Sequence, residues 1–292
     1  MLQLSQTQLK PTLALASLAF VCLVPASVES HGGFDERIGA ADQAIAASPN
    51  ALQPRLVRAE LHRRHGDFAA ALRDLDDASR LAPERHKIDY FRGLVYLDAG
   101  RSLEAEVALR RFLEQQPGLH PAGREAHARA LLKLERPLDA AREYDLAIEQ
   151  QPVPIPDYYH ERARAFAAAG DAYLEEAIRG IDEGIAAIGP VVTLERVAID
   201  LELRRGATDA ALARLERISE RSPRREAWLA QRGDILAGVG RTLEAEQSFA
   251  RALLELEQLS DPRRRTPAMS RLEAEIREGM AGLAELQLRS TP

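Results

Sequence analysis

The sequence predicts an all-α solenoid of stacked helix pairs, because three series of residues recur at nearly the same step. Glycines suited to tight turns are Gly66, Gly100, Gly170, Gly206 and Gly240. Alanines that follow the turns are Ala71, Ala105, Ala140, Ala177, Ala211 and Ala245. Prolines that close the units are Pro49, Pro83, Pro117, Pro152, Pro190 and Pro223. The common step is about 34 residues, which is typical of helical repeat arrays.

Each unit is predicted to contain two amphipathic helices joined by a turn. In the first unit, Phe68, Leu72 and Leu75 mark an apolar stripe at helical spacing after the turn at Gly66. Small residues that let paired helices approach closely are Ala59, Gly93, Ala128, Ala163 and Gly233 in the first helices and Ala78, Ala147, Gly184 and Ala252 in the second. An isolated pair cannot bury both of its faces, so neighbouring pairs must stack and the two ends need caps.

The spacing divides the chain into a leader, two caps and a repeat region. Residues 1–30 form the leader, residues 31–50 a capping half-unit, and residues 257–292 a linker with a capping helix. Thr266 followed by Pro267 is a helix start signal. The apolar face of the capping helix is Leu272, Ile276, Leu283 and Leu286. The six units of residues 51–256 are 52–85, 86–119, 121–152, 156–190, 191–223 and 225–256.

Two units carry a residue pattern that resembles the tetratricopeptide repeat family. The matching residues are Gly93, Tyr96, Gly100, Ala105, Leu109 and Pro117 in the second unit, and Gly233, Gly240, Ala245, Phe249 and Ala252 in the sixth. The resemblance implies a right-handed superhelix of antiparallel helix pairs with about 14 helices. Departures from the family pattern are Phe112 in the second unit, Ile199 and Glu202 in the fifth, and Trp228 in the sixth.

The first thirty residues are typical of a cleavable export signal. Lys10 precedes an apolar run from Leu13 to Val24, which is too short to cross a bilayer, so we expect no stable membrane span. Cleavage is expected near Ser30 or near Ala26, which predicts a periplasmic or secreted protein. The mature chain would then contain no cysteine, because Cys22 is the only one. The net charge of −6 argues against a nucleic-acid partner.

The resemblance also implies where a partner protein or peptide binds, since first-helix side chains of this family line a concave groove. The matching residues are Glu60, Arg63, Tyr90, Leu94, Leu97, Glu125, Arg129, Leu132, His160, Arg164, Arg196, Asp200, Leu203 and Asp234. Arg129, Arg164 and Arg196 are able to form a row for an acidic peptide, because guanidinium groups bind carboxylates in a bidentate manner. The alternative is that they are solvated. A second arginine series, predicted to stabilise helix junctions, is Arg58, Arg92, Arg162 and Arg232.

The function predicted from these features is that of a non-catalytic adaptor or scaffold of the cell envelope. No phosphate-binding loop, nucleophile elbow or pair of catalytic carboxylates is present in the sequence, and we expect no cofactor. One alternative is a scaffold that self-associates into a homo-oligomer. A less favoured alternative is a metal-dependent enzyme that uses His62 and His65, although zinc sites usually need four ligands.

Overall fold

The computed structural model describes residues 31–83, 87–115 and 118–290, with side chains from residue 33 to residue 285 of these ranges. This part of the chain contains 15 α-helices, one short 3-10 helix and no strand. The predicted all-α solenoid is therefore confirmed. The predicted leader and both cleavage positions lie outside the described residues.

The helices follow one another in pairs after a single N-terminal helix, α1, His31–Ala47. The six pairs are α2 Leu52–His65 with α3 Phe68–Leu81, α4 Lys87–Asp98 with α5 Ser102–Gln115, α6 Pro121–Lys133 with α7 Pro137–Gln150, α8 Pro156–Ala169 with α9 Leu174–Ile188, α10 Val192–Arg204 with α11 Thr208–Arg221, and α12 Glu226–Gly238 with α13 Thr242–Glu257. The last helices are α14 Asp261–Arg264 and α15 Pro267–Ser290. Within the predicted linker, α14 thus forms one helical turn.

The turns inside the pairs depend on a left-handed residue. Gly66 has a φ of 87°, and the next amide, that of Asp67, donates to the carbonyl of His62 over 2.9 Å. Such a residue ends a helix and satisfies its last carbonyl groups. The third unit makes the same turn with Glu135 at a φ of 56°, and the amide of Arg136 donates to Leu131 over 3.0 Å. A non-glycine residue there is strained by about 1 kcal/mol.

Small residues let large side chains of the partner helix lie directly on the backbone. A β-carbon at Gly233 would lie 2.5 Å from the ring of Phe249, and one at Gly93 would lie 2.4 Å from Leu109. The bulky Phe112 of the second unit is accommodated in the same way, since a β-carbon at Gly123 would lie 2.7 Å from its ring. The departure from the family pattern at Phe112 is therefore compensated on the neighbouring helix.

The C-terminal helix covers the last pair. Ile276 and Leu283 of α15 are buried in the same core as Phe249, and a β-carbon at Gly279 would lie 2.9 Å from that ring. The helix begins where predicted, because the hydroxyl of Thr266 accepts a hydrogen bond of 3.4 Å from the amide of Met269. Leu286 lies beyond the described side chains.

A series of arginines connects each unit to the one before it. Arg58, Arg92 and Arg162 donate to Asp42, Asp76 and Asp145 over 2.5, 2.7 and 2.7 Å. Arg232 lies 3.9 Å from Glu216. Each carboxylate precedes its arginine by 16 or 17 residues and lies on the preceding second helix. We call these contacts the arginine ties; they support the predicted structural role of this series.

Two units make the tie differently. In the third, the buried His127 replaces arginine, with Nδ1 3.1 Å from Glu143 Oε1 and Nε2 3.7 Å from Glu106 Oε1. In the fifth unit, Ala198 stands at the arginine position. There Arg214 of α11 donates to both oxygens of Asp182 over 2.7 and 2.8 Å. Asp182 lies 16 residues before Ala198, so the carboxylate is kept while the cation comes from the other helix.

Some first helices of neighbouring units pack against each other. Helix α4 packs beside both α2 and α6, and α8 packs beside α10. Helices α6 and α8 do not pack closely, and the segment Gln151 to Ile155 joins their units. We call the combined face of α2, α4, α6, α8, α10 and α12 the first-helix surface. Within the described ranges, no helix has the length and apolar character that a membrane crossing requires.

Candidate functional site

Three tyrosines lie together under the middle of the first-helix surface. Tyr144 of α7 and Tyr158 of α8 are buried, with ring centroids 6.4 Å apart, and they fill the space between α6 and α8. The charge of the Glu125 carboxylate acts on the Tyr158 hydroxyl. Tyr90 of α4 is half-buried and is close enough to Glu125 for that charge to act on its hydroxyl. We call Tyr90, Tyr144 and Tyr158 the tyrosine cluster.

The environment keeps all three hydroxyl groups protonated. Burial raises the pKa of Tyr144, and the carboxylates of Glu161 and Glu125 raise it further. Burial likewise raises the pKa of Tyr90 and of Tyr158, with the Glu125 carboxylate as the next cause in both. These hydroxyls therefore remain hydrogen-bond donors at neutral pH.

Several residues predicted for binding converge on this cluster. Glu60, Arg63, Glu125 and Arg129 all act electrostatically on Tyr90. Glu125 and Arg129 also act on Tyr144, together with Arg164. The structure thus brings together charged residues from the first, third and fourth units. Tyr144 and Tyr158 are absent from the sequence prediction. Tyr144 could have been noticed because it is the only polar side chain at its position among the six units. The equivalent residues are Leu75, Leu109, Ile181, Leu215 and Phe249.

Some of the predicted residues are already engaged within the protein. Arg63 donates to Glu60 over 2.7 Å and also pairs with Asp98. Arg164 donates to Glu161 over 2.9 Å. His160 lies half-exposed, with Nδ1 3.9 Å from Glu161. The apolar residues are partly buried and pack on the cores between helices, which makes the predicted apolar half of the groove less available than expected; they are Leu94, Leu97, Leu132 and Leu203.

Four of the predicted residues are exposed and lack any partner within the described ranges. Arg129, Arg196, Asp200 and Asp234 form no hydrogen bond or ion pair with another described residue. Partial burial nevertheless raises the pKa of Asp234, and the charge of Glu275 on α15 raises it further. The charges of these four residues are therefore exposed to solvent and are not neutralised by another described residue.

The comparisons with known proteins agree with this arrangement. A sequence model of the tetratricopeptide repeat family matches residues 56–120, which extend over two helix pairs. The same fold continues through the other pairs, because a tetratricopeptide repeat protein from Parabacteroides merdae superposes over 84% of this chain and 93% of its own, with a TM-score of 0.51 at 16% identity. The chain therefore has the tetratricopeptide repeat fold, and its residues 56–120 match the sequence pattern of that family.

Two further solved structures share the fold of this chain. The structure of Naa15/Naa10 bound to HypK-THB matches 86% of this chain with a TM-score of 0.53 at 17% identity, although only 36% of that longer chain is covered. MamA from Desulfovibrio magneticus matches 58% of this chain and 93% of its own, with a TM-score of 0.50 at 16% identity. No curated protein sequence matches significantly.

An aromatic cleft of about 380 Å³ opens beside the tyrosine cluster. Tyr90 and Phe112 have ring centroids 5.3 Å apart, and Phe112 lies 5.0 Å from the ring of His120. The exposed Leu119 and the stem of Lys87 complete the wall. The presence of Phe112 at a normally small position therefore creates an apolar recess next to the charged residues.

The described residues offer no arrangement suited to a metal. Within them, no three side chains among histidine, cysteine, aspartate and glutamate are grouped as metal ligands. His65, one member of the histidine pair considered from sequence, stacks on Phe34 with ring centroids 5.6 Å apart.

Proposed function

We propose that this protein is a non-catalytic adaptor of the cell envelope that binds a partner polypeptide along the first-helix surface. Tetratricopeptide repeats are generally non-catalytic interaction scaffolds. The observation that carries the proposal is the set of exposed charged side chains on this surface that have no partner among the described residues. The protonated tyrosine cluster lies beneath them. Residues Arg129 and Arg196 are the best candidates for direct contact, because guanidinium groups bind carboxylates strongly when no internal partner competes.

The test is capture of the partner from an envelope extract by the mature chain. The double variant Arg129→Ala with Arg196→Ala should lose most of the captured protein, because it removes two unpartnered cations from the surface. The matched control is Arg179→Ala with Arg251→Ala, since these arginines are equally exposed and have no partner among the described residues but lie on second helices. Equal capture by both variants would refute the proposed surface.

Alanine replacement of Tyr90, Leu94 and Leu97 is a less suitable test. Leu94 and Leu97 pack against the core between α4, α5 and α6, so their loss would lower stability as well as binding. The arginine variants avoid this problem because both side chains are exposed.

The envelope location is the part of the proposal that depends on the leader. N-terminal sequencing of protein collected from the exported fraction should give a chain that begins after Ser30 or after Ala26. Recovery of full-length chain only from the cell interior would contradict export. The sedimentation coefficient of the same material tests the alternative of self-association. The C-terminal end of the array does not favour that alternative, because α15 covers the last helix pair.

A further inference from the structure

One row of residues crosses the first-helix surface from unit to unit. Its members directly follow the residue at each helix crossing, and they are Glu60, Leu94, Arg129, Arg164, Asp200 and Asp234. They hold equivalent positions in successive first helices, so they follow one another along the solenoid. We call this set the crossing row. Its middle is basic and its C-terminal end is acidic.

The charged residues in the middle and at the C-terminal end of the crossing row are exposed. Arg129, Asp200 and Asp234 are exposed and have no partner among the described residues. Arg164 is 63% exposed and pairs only with its neighbour Glu161 in the described part of the chain, and such surface pairs are weak. The first two members differ, since Glu60 pairs with Arg63 and Leu94 is partly buried. The change from basic to acidic side chains along the row therefore lies between the third and sixth units.

The acidic end extends beyond the row. Glu275 of α15 is close enough to raise the pKa of Asp234, after the larger effect of partial burial. Two carboxylates that repel each other are stabilised when a cation binds between them. A basic side chain is therefore favoured there, whereas an acidic side chain is favoured against Arg129 and Arg164.

We propose that the partner segment carries two separated blocks of charge, acidic residues against Arg129 and Arg164 and basic residues against Asp200 and Asp234. This inference rests on the proposed function and adds a direction, because only one orientation matches both blocks. A uniformly acidic segment would be attracted by Arg129 and Arg164 and repelled by Asp200 and Asp234. Arg129 and Asp234 are three unit steps apart, on the order of 30 Å at typical helix spacing, which about nine extended residues cover.

Trp228 makes the direction measurable. It is the only tryptophan of the chain and lies on α12, the helix that carries Asp234. The probe is a synthetic peptide of four glutamates, a short Gly-Ser spacer and four lysines, with a dansyl group at either end. Bound to the mature chain, the peptide labelled at the lysine end should take up excitation energy from Trp228, and the peptide labelled at the glutamate end should take up much less.

Charge reversal provides the decisive comparison. The variant Arg129→Glu, Arg164→Glu, Asp200→Lys and Asp234→Lys should bind the same peptide in the opposite direction, so the glutamate-end label becomes the better acceptor. The variant Arg129→Glu with Arg164→Glu alone should weaken binding roughly tenfold at low salt. The control Arg179→Glu with Arg251→Glu changes the same number of charges on second helices and should leave the affinity unchanged. Circular dichroism verifies that all variants fold.

Three results would overturn the inference: equal energy transfer from both labels, no effect of reversal, or tighter binding of an all-glutamate or all-lysine peptide. Absence of any peptide binding by the folded wild-type chain would overturn it too. Failure of the adaptor function is a separate result, since it appears as equal capture by the Arg129/Arg196 variant and its control. If capture depends on those arginines and the peptides show no direction, only the two-block inference is lost.

Discussion

The ties at His127 and Arg162 hold the same place in successive units but use different chemistry. Arg162 is 9% exposed and donates to Asp145, to Glu183 and to the carbonyl of Gly180, so it connects two second helices. His127 lies between two carboxylates, and neither ring nitrogen has hydrogen-bond geometry with a partner among the described residues. The difference teaches that the contact between units does not require a particular residue at this position.

The reason for the histidine lies one unit earlier. In the ties of the first, second, fourth and sixth units, a carboxylate precedes the arginine by 16 or 17 residues, but the residues at those distances before His127 are Arg111 and Arg110. An arginine at position 127 would meet like charge there. The fifth unit offers a second solution, because Arg214 reaches the equivalent carboxylate, Asp182, from the opposite helix.

The largest effect is expected for Arg214→Ala. This change removes both hydrogen bonds to Asp182 and leaves Glu195 and Glu202, which are 7% and 4% exposed, with only the more exposed Arg217 and Arg205 as partners. Breaking a buried ion pair on one side costs about 3–5 kcal/mol. Urea unfolding measures the loss, and Arg217→Ala, at an arginine 48% exposed, is the control expected to change little. Similar losses for the two variants would show that the fifth unit does not depend on its inverted tie.

Arg162→Ala should destabilise less, by about 2 kcal/mol. Its carboxylate partners Asp145 and Glu183 are 41% and 53% exposed and become solvated when the arginine is removed. The remaining loss comes from the Gly180 carbonyl and from the guanidinium packed 5.5 Å from the Tyr159 ring centroid. Urea unfolding measures this loss as well. A value as large as that for Arg214→Ala would contradict the idea that burial of the carboxylate partners sets the cost of removing the cation.

The third unit should be distinguished by its dependence on pH. Burial raises the pKa of Glu143, but contacts with His127 and Arg124 outweigh it and place the pKa below the ordinary value of 4.5. A lowered pKa means that the ionised carboxylate stabilises the fold above pH 4.5, and this stabilisation is lost as the pH falls through the folded-state pKa.

His127→Gln should cost about 1 kcal/mol near pH 6 and flatten the loss of stability between about pH 5 and pH 3. The measurement is urea unfolding across this range, with Arg162→Ala as the comparison because it leaves the Glu143 contacts in place. An acid-induced loss of the same size in wild type and His127→Gln would show that Glu143 does not depend on His127.

The smallest effect is expected for Arg92→Ala. Its hydrogen-bonded partner Asp76 is 59% exposed, and exposed ion pairs contribute between about 0 and 1 kcal/mol. Its more distant partner Asp89, at 3.6 Å, is 13% exposed but keeps Arg111 at 3.9 Å when Arg92 is removed. Thermal unfolding should shift little relative to wild type. A loss above that for His127→Gln would mean that the second unit relies on its tie more than its exposure indicates.

The sequence allows the helix pairs and their turns to be predicted, because turn glycines, small crossing residues and prolines act through local geometry. The 16-residue spacing of the arginine ties is also visible in it. The tyrosine cluster could not be predicted, since the approach of Tyr144 to Arg129 and Glu125 depends on how far α6 stands from α8. For the same reason, Leu94 and Leu97 fit the groove pattern and yet pack largely into the core.

The reach of each arginine to the preceding unit has a consequence for protein engineering. A unit of this array is not an independent module, because half of each tie belongs to its neighbour. Transplanting the fourth unit behind the second would place Arg162 against Arg110 and Arg111, whereas transplanting it behind the fifth would offer it Glu216. The charge that each second helix presents to the next unit therefore limits which unit can follow it.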